Sequence, residues 1–342
     1  MPRRPVPRTV LVTGAGGYVG SRLVPRLLAD GHRVRATFTD PRRAGRQWWA
    51  GDVESVGLDA LDRGSVESAV DGVDVVVWLV HHLAGSAFSF RDRRAATVMA
   101  RAADRAGVRR IVYLGGIVPD VPLGELSEHL TSRVEVERLL ASTGVPTTSL
   151  RAAIVIGSGS TSFDIVRSTA RGLPLQPIPS WLRSQVQPVA VTDVLDVLAA
   201  AVRTRRATRS YDVAGPERMS YAELLERVTR ADGLRRLQLP LPALVSNALA
   251  PVAAPVTAGL SGVPVATVEA LLDSLRHDMV AAEDDFTRDL LPARHRLVPV
   301  DEAIARALAE PADGIPPAER DPLGPMPQDA RTRPSLQLPR RR

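Results

Sequence analysis

Residues 11–23, "LVTGAGGYVGSRL", decide the fold of this 342-residue chain. Gly14, Gly17 and Gly20 stand three residues apart, after an apolar run and before a helical pattern. In such a loop the first glycine permits a tight turn, the second lets the backbone approach a pyrophosphate, and the third lets helix and strand pack closely. The helix start then offers backbone N–H groups and its positive dipole end to the phosphates. The stretch favours a dinucleotide-binding loop over a strand-to-helix turn without a ligand.

Around this loop, short apolar runs alternate with amphipathic stretches. The pattern predicts strands at 9–13, 33–38, 74–80, 110–116 and 147–157, and helices at 18–30, 65–71, 87–106 and 127–143. A glycine-containing turn follows each of these helices. Continuous apolar strands that alternate with helices are typical of a parallel sheet covered on both faces. We therefore expect an α/β fold with a Rossmann-type, doubly wound parallel sheet and a smaller, mostly helical C-terminal region for substrate.

The alternation becomes irregular after residue 160, and this suggests how the chain is divided. We expect a disordered basic tail at 1–8 and a dinucleotide-binding Rossmann domain at 9–160, whose sheet is joined by later strands from about 186–215. A substrate or lid region is expected at 161–185 and 216–309, and a disordered tail rich in proline and arginine at 310–342.

Within the later part, a strand is expected at 209–214 and an amphipathic helix at 300–308. Thr192 or Asp193 is expected to cap one helix, and Ser220 with Glu223 to form a capping box on the next. The apolar stretch 239–272 is interrupted by prolines and lacks basic residues. It favours core and lid helices over contact with a membrane surface.

Composition excludes several classes of chemistry. The chain has no cysteine, and all 44 of its basic residues are arginine. Disulfides, thiolate nucleophiles and Schiff-base lysines are therefore impossible. An arginine- and alanine-rich chain without lysine favours a bacterial, GC-rich genome.

The formal net charge of +6 comes mostly from the two tails, with +3 in residues 1–8 and +2 in residues 311–342. A nearly neutral body without interleaved basic and aromatic residues argues against nucleic-acid binding. No apolar run reaches the eighteen or so residues of a transmembrane helix, and no secretion signal follows the basic N-terminus. We expect a cytoplasmic protein without stable membrane insertion, and the sequence leaves its oligomeric state open.

The glycine loop also carries a family resemblance. "VTGAGGYVG" resembles the T-G-x-x-G-x-x-G fingerprint of short-chain dehydrogenases/reductases. Other segments, among them "WLVHHLAG" (78–85), "AGVRRIVYLGG" (106–116) and "LRAAIVIGSGSTSF" (150–163), are similar to the atypical, NmrA-like, NAD(P)H-binding subgroup related to the accessory NAD(P)H-binding subunit of respiratory complex I. The resemblance spans about residues 9–310. It implies a nicotinamide cofactor held by Thr13, Gly14, Gly16, Gly17, Tyr18, Val19, Gly20, Asp52, Val53, Leu79 and Val80, with Asp52 of "GDV" on the adenine amine.

The choice between the two nicotinamide cofactors depends on the end of the second strand. Relatives that use NAD carry a ribose-binding acid at the position of Phe38. Arg42 and Arg43 follow closely and could bind a 2′-phosphate. Asp40 argues for NAD, unless it only begins the next helix. We expect NADP(H) as the preferred cofactor and keep NAD(H) as possible.

The catalytic residues of the family are replaced in this chain. Active members use a serine at the end of strand five and a Tyr-x-x-x-Lys pair on the next helix. Here Gly115 and Gly116 stand at the serine position, and His129-x-x-x-Arg133 stands at the pair. Residues four apart share a helix face, so His129 could donate a proton while Arg133 holds the nicotinamide ribose. The alternative is an exposed histidine and an Arg133 paired with Glu137.

Other polar side chains are expected near the cleft. His81 or His82 follows strand four, whose carboxyl end borders the crevice of a doubly wound sheet, and His81 is the third catalytic candidate. Arg151 and Gln187 point at the cleft by resemblance, or serve as structural hydrogen-bonding residues. Without a third ligand at metal spacing, we expect no metal site.

Two function classes follow. The first is an oxidoreductase that transfers hydride to a small or hydrophobic carbonyl, quinone or enone without the usual Ser-Tyr-Lys triad. The second is a non-catalytic NAD(P)H-binding redox sensor or an accessory or assembly protein. Both require a small-molecule ligand at the glycine loop.

Overall fold

The structure is a computed structural model that describes residues 6–81, 88–311 and 313–331. The strands of these residues are β1 Thr9–Val12, β2 Arg33–Phe38, β3 Glu54–Gly57, β4 Val75–Trp78, β5 Arg110–Gly116, β6 Thr147–Ala152, β7 Val155–Ile156, β8 Leu175–Ile178, β9 Gln185–Val186, β10 Val189–Ala190, β11 Arg209–Val213, β12 Met219–Ser220 and β13 Leu237–Pro240. The helices are α1 Tyr18–Ala29, α2 Arg63–Val70, α3 Phe88–Arg105, α4 Glu128–Leu140, α5 Thr161–Gly172, α6 Val191–Arg203, α7 Tyr221–Ala231, α8 Ala243–Ser261, α9 Val265–Ser274, α10 Asp285–Asp289 and α11 Val300–Leu308.

Seven of these strands form one sheet in the order β11-β6-β5-β4-β1-β2-β3. Every neighbouring pair in it is parallel. The chain starts in the middle of the sheet, runs outward to β3, and then crosses to β4 on the other side of β1. The strand order therefore reverses between β1 and β4, and open parallel sheets bind ligands beyond the carboxyl ends of the strands at such a point.

The apolar residues of the strands alternate between two cores. Val10 and Val12 pack in the core that includes Leu23 of α1 and Leu198 of α6. Leu11 packs in the other core, together with Met99 of α3 and other residues of α2 and α3. Both faces of the sheet are thus covered by helices, which explains why its central strands read as unbroken apolar runs. The predicted doubly wound α/β fold is confirmed.

Three differences from the expected strands are found. The sequence pattern gave no strand at β3, because this edge strand is mostly exposed and lacks an apolar run. The predicted strand at 147–157 is divided, since β6 lies in the main sheet while β7 pairs with β10 outside it. Of the strands expected to join from about 186–215, β11 enters the main sheet, whereas β9 pairs with β12.

The expected helix caps differ in outcome. The Ser220 hydroxyl accepts a hydrogen bond from the Glu223 backbone N–H and caps α7, as expected. The Glu223 carboxylate accepts from the Arg227 guanidinium, so only the serine half of the expected capping box is found. Helix α6 has Ala190 at its N-cap, so the prediction of a Thr192 or Asp193 cap is wrong. The Asp193 carboxylate instead accepts from the backbone N–H of Val298 at 2.9 Å.

Helix α8 departs from the expectation of a core helix. In its 19 residues only Ser246, Ala254 and Ala258 are buried, and Leu244 is 84% exposed. Among the described residues it is the one helix long and apolar enough to cross a membrane by length and composition alone. One face packs against α5 and α9, and the rest faces outward. The absence of stable membrane insertion stays a prediction.

The chain beyond Glu310 also differs from the expectation of a disordered tail. Residues 313–331, which we call the C-terminal strap, contain the 3-10 turns Pro317–Glu319 and Pro327–Arg331. Leu323 is fully buried in the main core. The strap has no periodic apolar face, because turns and ion pairs hold it in place, and periodicity could not predict it. Residues 1–5 and 332–342 lie outside the described residues.

Candidate functional site

A cavity of about 660 Å³ opens at the carboxyl ends of β1 to β4. Its wall is formed by the glycine loop, by the segments that follow β2, β3 and β4, and by the strap; it includes Gly14, Gly16, Gly17, Thr37, Phe38, Thr39, Arg43, Arg46, Gln47, Asp59, Val80, Pro327 and Gln328. The volume lies in the range of small-molecule and cofactor sites.

The glycine loop has the geometry that a pyrophosphate cradle requires. Gly14 has a φ of +65°, which an L side chain rarely adopts. A Cβ on Gly20 would stand 2.3 Å from the carbonyl oxygen of Gly14 and 2.9 Å from the Ala15 Cα, so only glycine lets α1 pack this close to β1. Helix α1 begins after Gly17 without a capping side chain, and its first N–H groups are therefore available to an anion.

Three neighbouring residues named from the resemblance support the loop rather than line the cavity. The Thr13 hydroxyl donates to the Val77 carbonyl at 3.1 Å and accepts from the Leu79 N–H at 2.9 Å, so it ties β1 to the end of β4. The Tyr18 side chain is turned into the protein, where the Arg22 guanidinium lies 4.2 Å from its ring centroid. Val19 packs partly buried against the core.

The end of β2 carries no acid in the cavity wall. Phe38 stacks on Trp49 with ring centroids 6.3 Å apart and lines the cavity. The Asp40 carboxylate accepts from the backbone N–H and the Nε of Arg42, so it begins the next turn, as the alternative held.

Arginines stand near this end of the cavity instead. The side chain of Arg42 is 92% exposed and pairs with Asp40. The described cavity wall includes Arg43 and Arg46 rather than Arg42. Arg42 as a cofactor ligand stays a prediction, and Arg46 was missed because the pattern did not show which side of the 3-10 turn Pro41–Arg46 faces inward.

The adenine-side acid was assigned to the wrong end of a strand. Asp52 and Val53 precede β3, and Asp52 is exposed. Parallel strands bring their carboxyl ends to the cofactor, so residues ahead of β3 lie at the opposite end from the site. Asp59 follows β3 and lines the cavity. Recognition of β3 at Glu54–Gly57 would have identified Asp59, and we correct the assignment accordingly.

Two amides of the cavity wall are poised for a polar ligand. The Oε1 of Gln47 and both polar atoms of Gln328 are buried without a hydrogen-bond partner among the described residues. Unsatisfied buried polar groups are costly, and a bound ligand with donors and acceptors would satisfy them. The glycine cradle, the arginines and these amides together fit a nicotinamide dinucleotide.

A second, apolar cavity of about 130 Å³ lies at the carboxyl ends of β5 and β6. It is lined mainly by apolar side chains and backbone, with His129 among the few polar groups; the wall includes Gly116, Leu130, Ala152, Ala153, Ile154, Ile165, Val268, Leu271, Leu275 and Met279. His129 also lines a larger groove of about 900 Å³, bounded by Trp181 and by residues of α8 and α9. The histidine therefore stands where groove and inner cavity meet.

The surroundings of His129 keep its imidazole neutral. Burial and the nearby Arg133 guanidinium lower the pKa of His129 to about 4. At neutral pH it can donate or accept a hydrogen bond, but it does not hold the extra proton of a general acid. The expectation that His129 acts as the proton donor is therefore corrected for neutral pH.

Arg133 does not form the alternative pair with Glu137. Its side chain is buried, and its Nη2 has no hydrogen-bond partner among the described residues. Glu137 accepts a bidentate pair from Arg151 at 2.7 and 2.9 Å. Arg151 is thus structural, and Arg133 keeps a free donor next to His129.

Two further candidates have structural contacts. The Gln187 amide donates to the Gly215 carbonyl at 2.8 Å, and its oxygen accepts from the Ala281 N–H. His81 is exposed at the end of β4, with its Nδ1 3.2 Å from the Leu79 carbonyl oxygen. His82 lies outside the described residues.

Gly115, one of the two glycines at the position of the family serine, lies against a tyrosine ring. A Cβ on Gly115 would stand 2.9 Å from the ring of Tyr113. That tyrosine is buried, and burial raises the pKa of its hydroxyl to about 12. Tyr113 therefore fills the space that a side chain at Gly115 would need.

One group of side chains has the spacing of metal ligands. Asp193, Asp196 and His295 place one ligand atom each within 4.8 Å of one another. Hydrogen bonds and ion pairs account for the cluster, since His295 Nε2 lies 3.1 Å from Asp193 and Arg26 pairs with Asp196. It carries no functional assignment.

Comparison with known proteins agrees with this geometry. A family model described as NAD(P)H-binding matches residues 14–173, which contain the glycine loop and strands β2 to β7. The match covers just under half of the chain, and the chain's membership of the atypical short-chain dehydrogenases/reductases stays a prediction. Its relation to the complex I subunit stays a prediction.

Individual relatives are more distant. Sterol demethylase protein B of Methylococcus capsulatus is 27% identical over 268 residues, covering 71% of this chain and 80% of that protein. The triphenylmethane reductase of Citrobacter sp., solved in complex with NADP(H), has a TM-score of 0.67 and 18% identity over 88% of this chain and 100% of its own. An NADPH-dependent quinone oxidoreductase of Escherichia coli has a TM-score of 0.68 and 16% identity over 87% of this chain and 98% of its own. These two structures establish the shared fold.

Proposed function

We propose that the protein is an NADP(H)-dependent cytoplasmic reductase of apolar acceptors, a quinone, an enone or an aromatic carbonyl. The observation that supports this proposal best is the pair of cavities at one edge of the sheet. The cavity at β1 to β4 has the glycine cradle, and the one at β5 and β6 is apolar and bordered by His129. In a doubly wound sheet a dinucleotide lies across this edge, so the second cavity adjoins the reactive end of the cofactor.

The preference for NADP(H) rests on charge at the adenosine end. Arg43 and Arg46 line the cavity there, and Asp40 is engaged with Arg42. Guanidinium groups form strong, charge-assisted hydrogen bonds with a phosphate. The end of β2 presents Phe38 where an NAD-selective site has an acid. NAD(H) remains the weaker ligand in this proposal.

The cavity at β5 and β6 favours acceptors that can be reduced without a general acid from the protein. NADPH supplies the hydride when it is bound. His129 is neutral at physiological pH, and the lysine-free chain has no ammonium beside it. The balancing proton then comes from solvent, which suits acceptors that delocalise the incoming charge. In this arrangement His129 hydrogen-bonds the acceptor and Arg133 holds the ribose.

The names of similar proteins support this class of acceptor. A triphenylmethane reductase, a quinone oxidoreductase and a sterol demethylase protein each have a name that indicates a large apolar compound. The groove beside His129, with its alanine-rich wall from α8 and α9, could admit such a compound.

A non-catalytic NADPH sensor is the second candidate. It is favoured by two features. Gly115 and Gly116 stand where active relatives have the catalytic serine, and His129 is neutral and does not hold the extra proton of a general acid. In that case the apolar cavity would serve packing or a partner rather than an acceptor.

Binding and single-turnover kinetics distinguish the candidates. The protein is titrated with NADPH and NADH by nicotinamide fluorescence, and its NADPH complex is then mixed in a stopped-flow instrument with a naphthoquinone, a cyclic enone or a triphenylmethane dye. The reductase predicts tighter binding of NADPH and its oxidation by at least one acceptor. Tight binding without oxidation by any acceptor would establish the sensor, and failure to bind either nucleotide would overturn both.

A further inference from the structure

We propose that the C-terminal strap is part of the cofactor site, with Gln328 as a direct ligand of the dinucleotide and the Asp329–Arg22 ion pair as the latch that holds it there. The proposal rests on the dinucleotide site of the proposed function. It adds a binding residue some three hundred positions away from the glycine loop in the sequence.

The strap is anchored by one buried arginine of α1. Arg22 has a fully buried side chain, and its Nη2 lies 2.6 Å from the Asp329 carboxylate. Its Nε donates to the Pro322 carbonyl at 2.8 Å, and its Nη2 donates to the Ser158 carbonyl at 2.9 Å. A buried guanidinium needs such partners, because leaving it unpaired in the interior is strongly unfavourable. The strap thus supplies the counter-charge that α1 requires.

Further contacts fix the position of the strap beside Asp329. The backbone N–H of Met326 donates to the Asp329 carboxylate at 2.8 Å. The Ser158 N–H donates to the carbonyl of the fully buried Leu323 at 2.8 Å. Pro327 and Gln328, between these anchors, are brought to the cavity wall.

The anchor is also the support of the glycine loop. The Arg22 guanidinium that binds Asp329 stacks over the ring of Tyr18, 4.2 Å from its centroid. Tyr18 is the first residue of α1 and follows Gly17 of the cradle. Docking of the strap and the conformation of the phosphate loop therefore depend on the same side chain.

Gln328 has the unmet hydrogen bonds that a ligand would satisfy. Its Oε1 and Nε2 are both buried and have no partner in the described part of the chain, although the residue lines the cavity at the glycine loop. An amide presents both donors and acceptors, so it can bind a phosphate oxygen, a ribose hydroxyl or the adenine edge. A dinucleotide in this cavity offers all three. The neighbouring Gln47 has an unpartnered Oε1 in the same wall, which makes the site polar on two sides.

The test measures NADPH affinity and amide hydrogen exchange rather than turnover. Gln328→Ala removes the amide and leaves the latch, and Asp329→Asn weakens the latch and leaves Gln328. Glu319→Gln, an exposed position of the strap, is the matched control. We expect the dissociation constant for NADPH to rise roughly tenfold in each of the first two variants and to stay unchanged in the control. NADPH should slow amide exchange in residues 313–331 of the unmodified protein, and less so in Asp329→Asn.

The possible outcomes distinguish a failure of the strap proposal from a failure of the proposed function. If the unmodified protein binds NADPH and Gln328→Ala binds it equally well, the strap proposal is wrong and the proposed function stands. If NADPH leaves amide exchange in the strap unchanged, the coupling through Arg22 is refuted. If the unmodified protein binds neither nucleotide, both proposals fail. Because Asp329→Asn removes part of a buried ion pair, its thermal unfolding is followed, while Gln328→Ala remains an independent test.

Discussion

The cofactor side and the acceptor side of the sheet edge are built in different ways. At β1 to β4 the cavity is made of backbone, glycines, arginines and amides, and close approach is the governing requirement. At β5 and β6 it is made of apolar side chains from distant segments, with one neutral histidine at its mouth. The first is a site for a charged ligand of fixed shape, and the second suits an apolar ligand of less defined shape. Phosphate recognition demands specific backbone geometry, whereas apolar binding requires area and volume.

The largest effect is expected for Gly20→Ala, which tests the requirement for close backbone approach on the cofactor side. The added Cβ would stand 2.3 Å from the Gly14 carbonyl oxygen and 2.9 Å from the Ala15 Cα, and both of these contacted atoms belong to the backbone. We expect NADPH affinity to fall by on the order of 100-fold or more and the free energy of unfolding to fall by about 1–3 kcal/mol. Isothermal titration calorimetry and denaturant unfolding measure the two effects.

Its control is Gly51→Ala, where a Cβ meets nothing within 4 Å and φ lies outside the left-handed region. Unchanged affinity in the Gly51 variant, together with a loss at Gly20, would support the cradle. Full NADPH binding by Gly20→Ala would show that close backbone approach does not govern this side.

On the acceptor side, the expected effect is a pH dependence of stability. The folded protein lowers the pKa of His129 from 6.5 to about 4, so the unfolded chain binds more protons between these values. The free energy of unfolding should therefore rise with pH from about 4 to 6.5, and His129 should contribute about 3 kcal/mol to this rise. Below pH 4 the imidazole is protonated in both the folded and the unfolded state, so the pH dependence that His129 causes ends there.

His129→Gln isolates this contribution from other titrating groups. Urea unfolding of the parent protein and of His129→Gln across this pH range should give two curves of stability against pH whose difference is the contribution of His129. Equal pH dependence in the parent and His129→Gln would mean that the imidazole is not desolvated, and that the acceptor side is more open than described.

The smallest expected effect concerns nucleotide choice. Arg43→Ala and Arg46→Ala should each weaken NADPH binding by about tenfold and leave NADH binding nearly unchanged, because the lost charge faces only a 2′-phosphate. Arg42→Ala is the control, since Arg42 is exposed and pairs with Asp40. If all three variants retain the parent ratio of NADPH to NADH affinity, the preference must be reassigned to other residues.

The two sides also differed in how far the sequence could predict them. The glycine loop could be predicted from the sequence because the spacing of its glycines follows from backbone requirements, which side-chain packing does not alter. The main strands were readable because burial on both faces makes them continuously apolar. Asp59 was missed because the short, exposed strand β3 before it has no apolar run. The sequence pattern therefore led to Asp52, which precedes this strand, as the adenine-binding acid.

The acceptor side and the strap depend on tertiary contacts. The pKa of His129 reflects burial and Arg133, neither of which a spacing reveals. Gln328 reaches the cofactor cavity only because Asp329 pairs with a buried arginine on α1. In the sequence this segment is merely rich in proline and arginine, which is why disorder was expected there.

The most direct test of the central claim is hydride transfer in a variant that fills the apolar cavity. Ala153→Phe places a ring in the cavity at the ends of β5 and β6, and Ala106→Phe places the same ring at an exposed site. In single turnovers with a naphthoquinone, we expect the Ala153 variant to oxidise bound NADPH at least about tenfold more slowly, with its NADPH affinity and the Ala106 control unchanged. An Ala153→Phe variant that oxidises NADPH at the parent rate would contradict the account, because the acceptor would then react elsewhere.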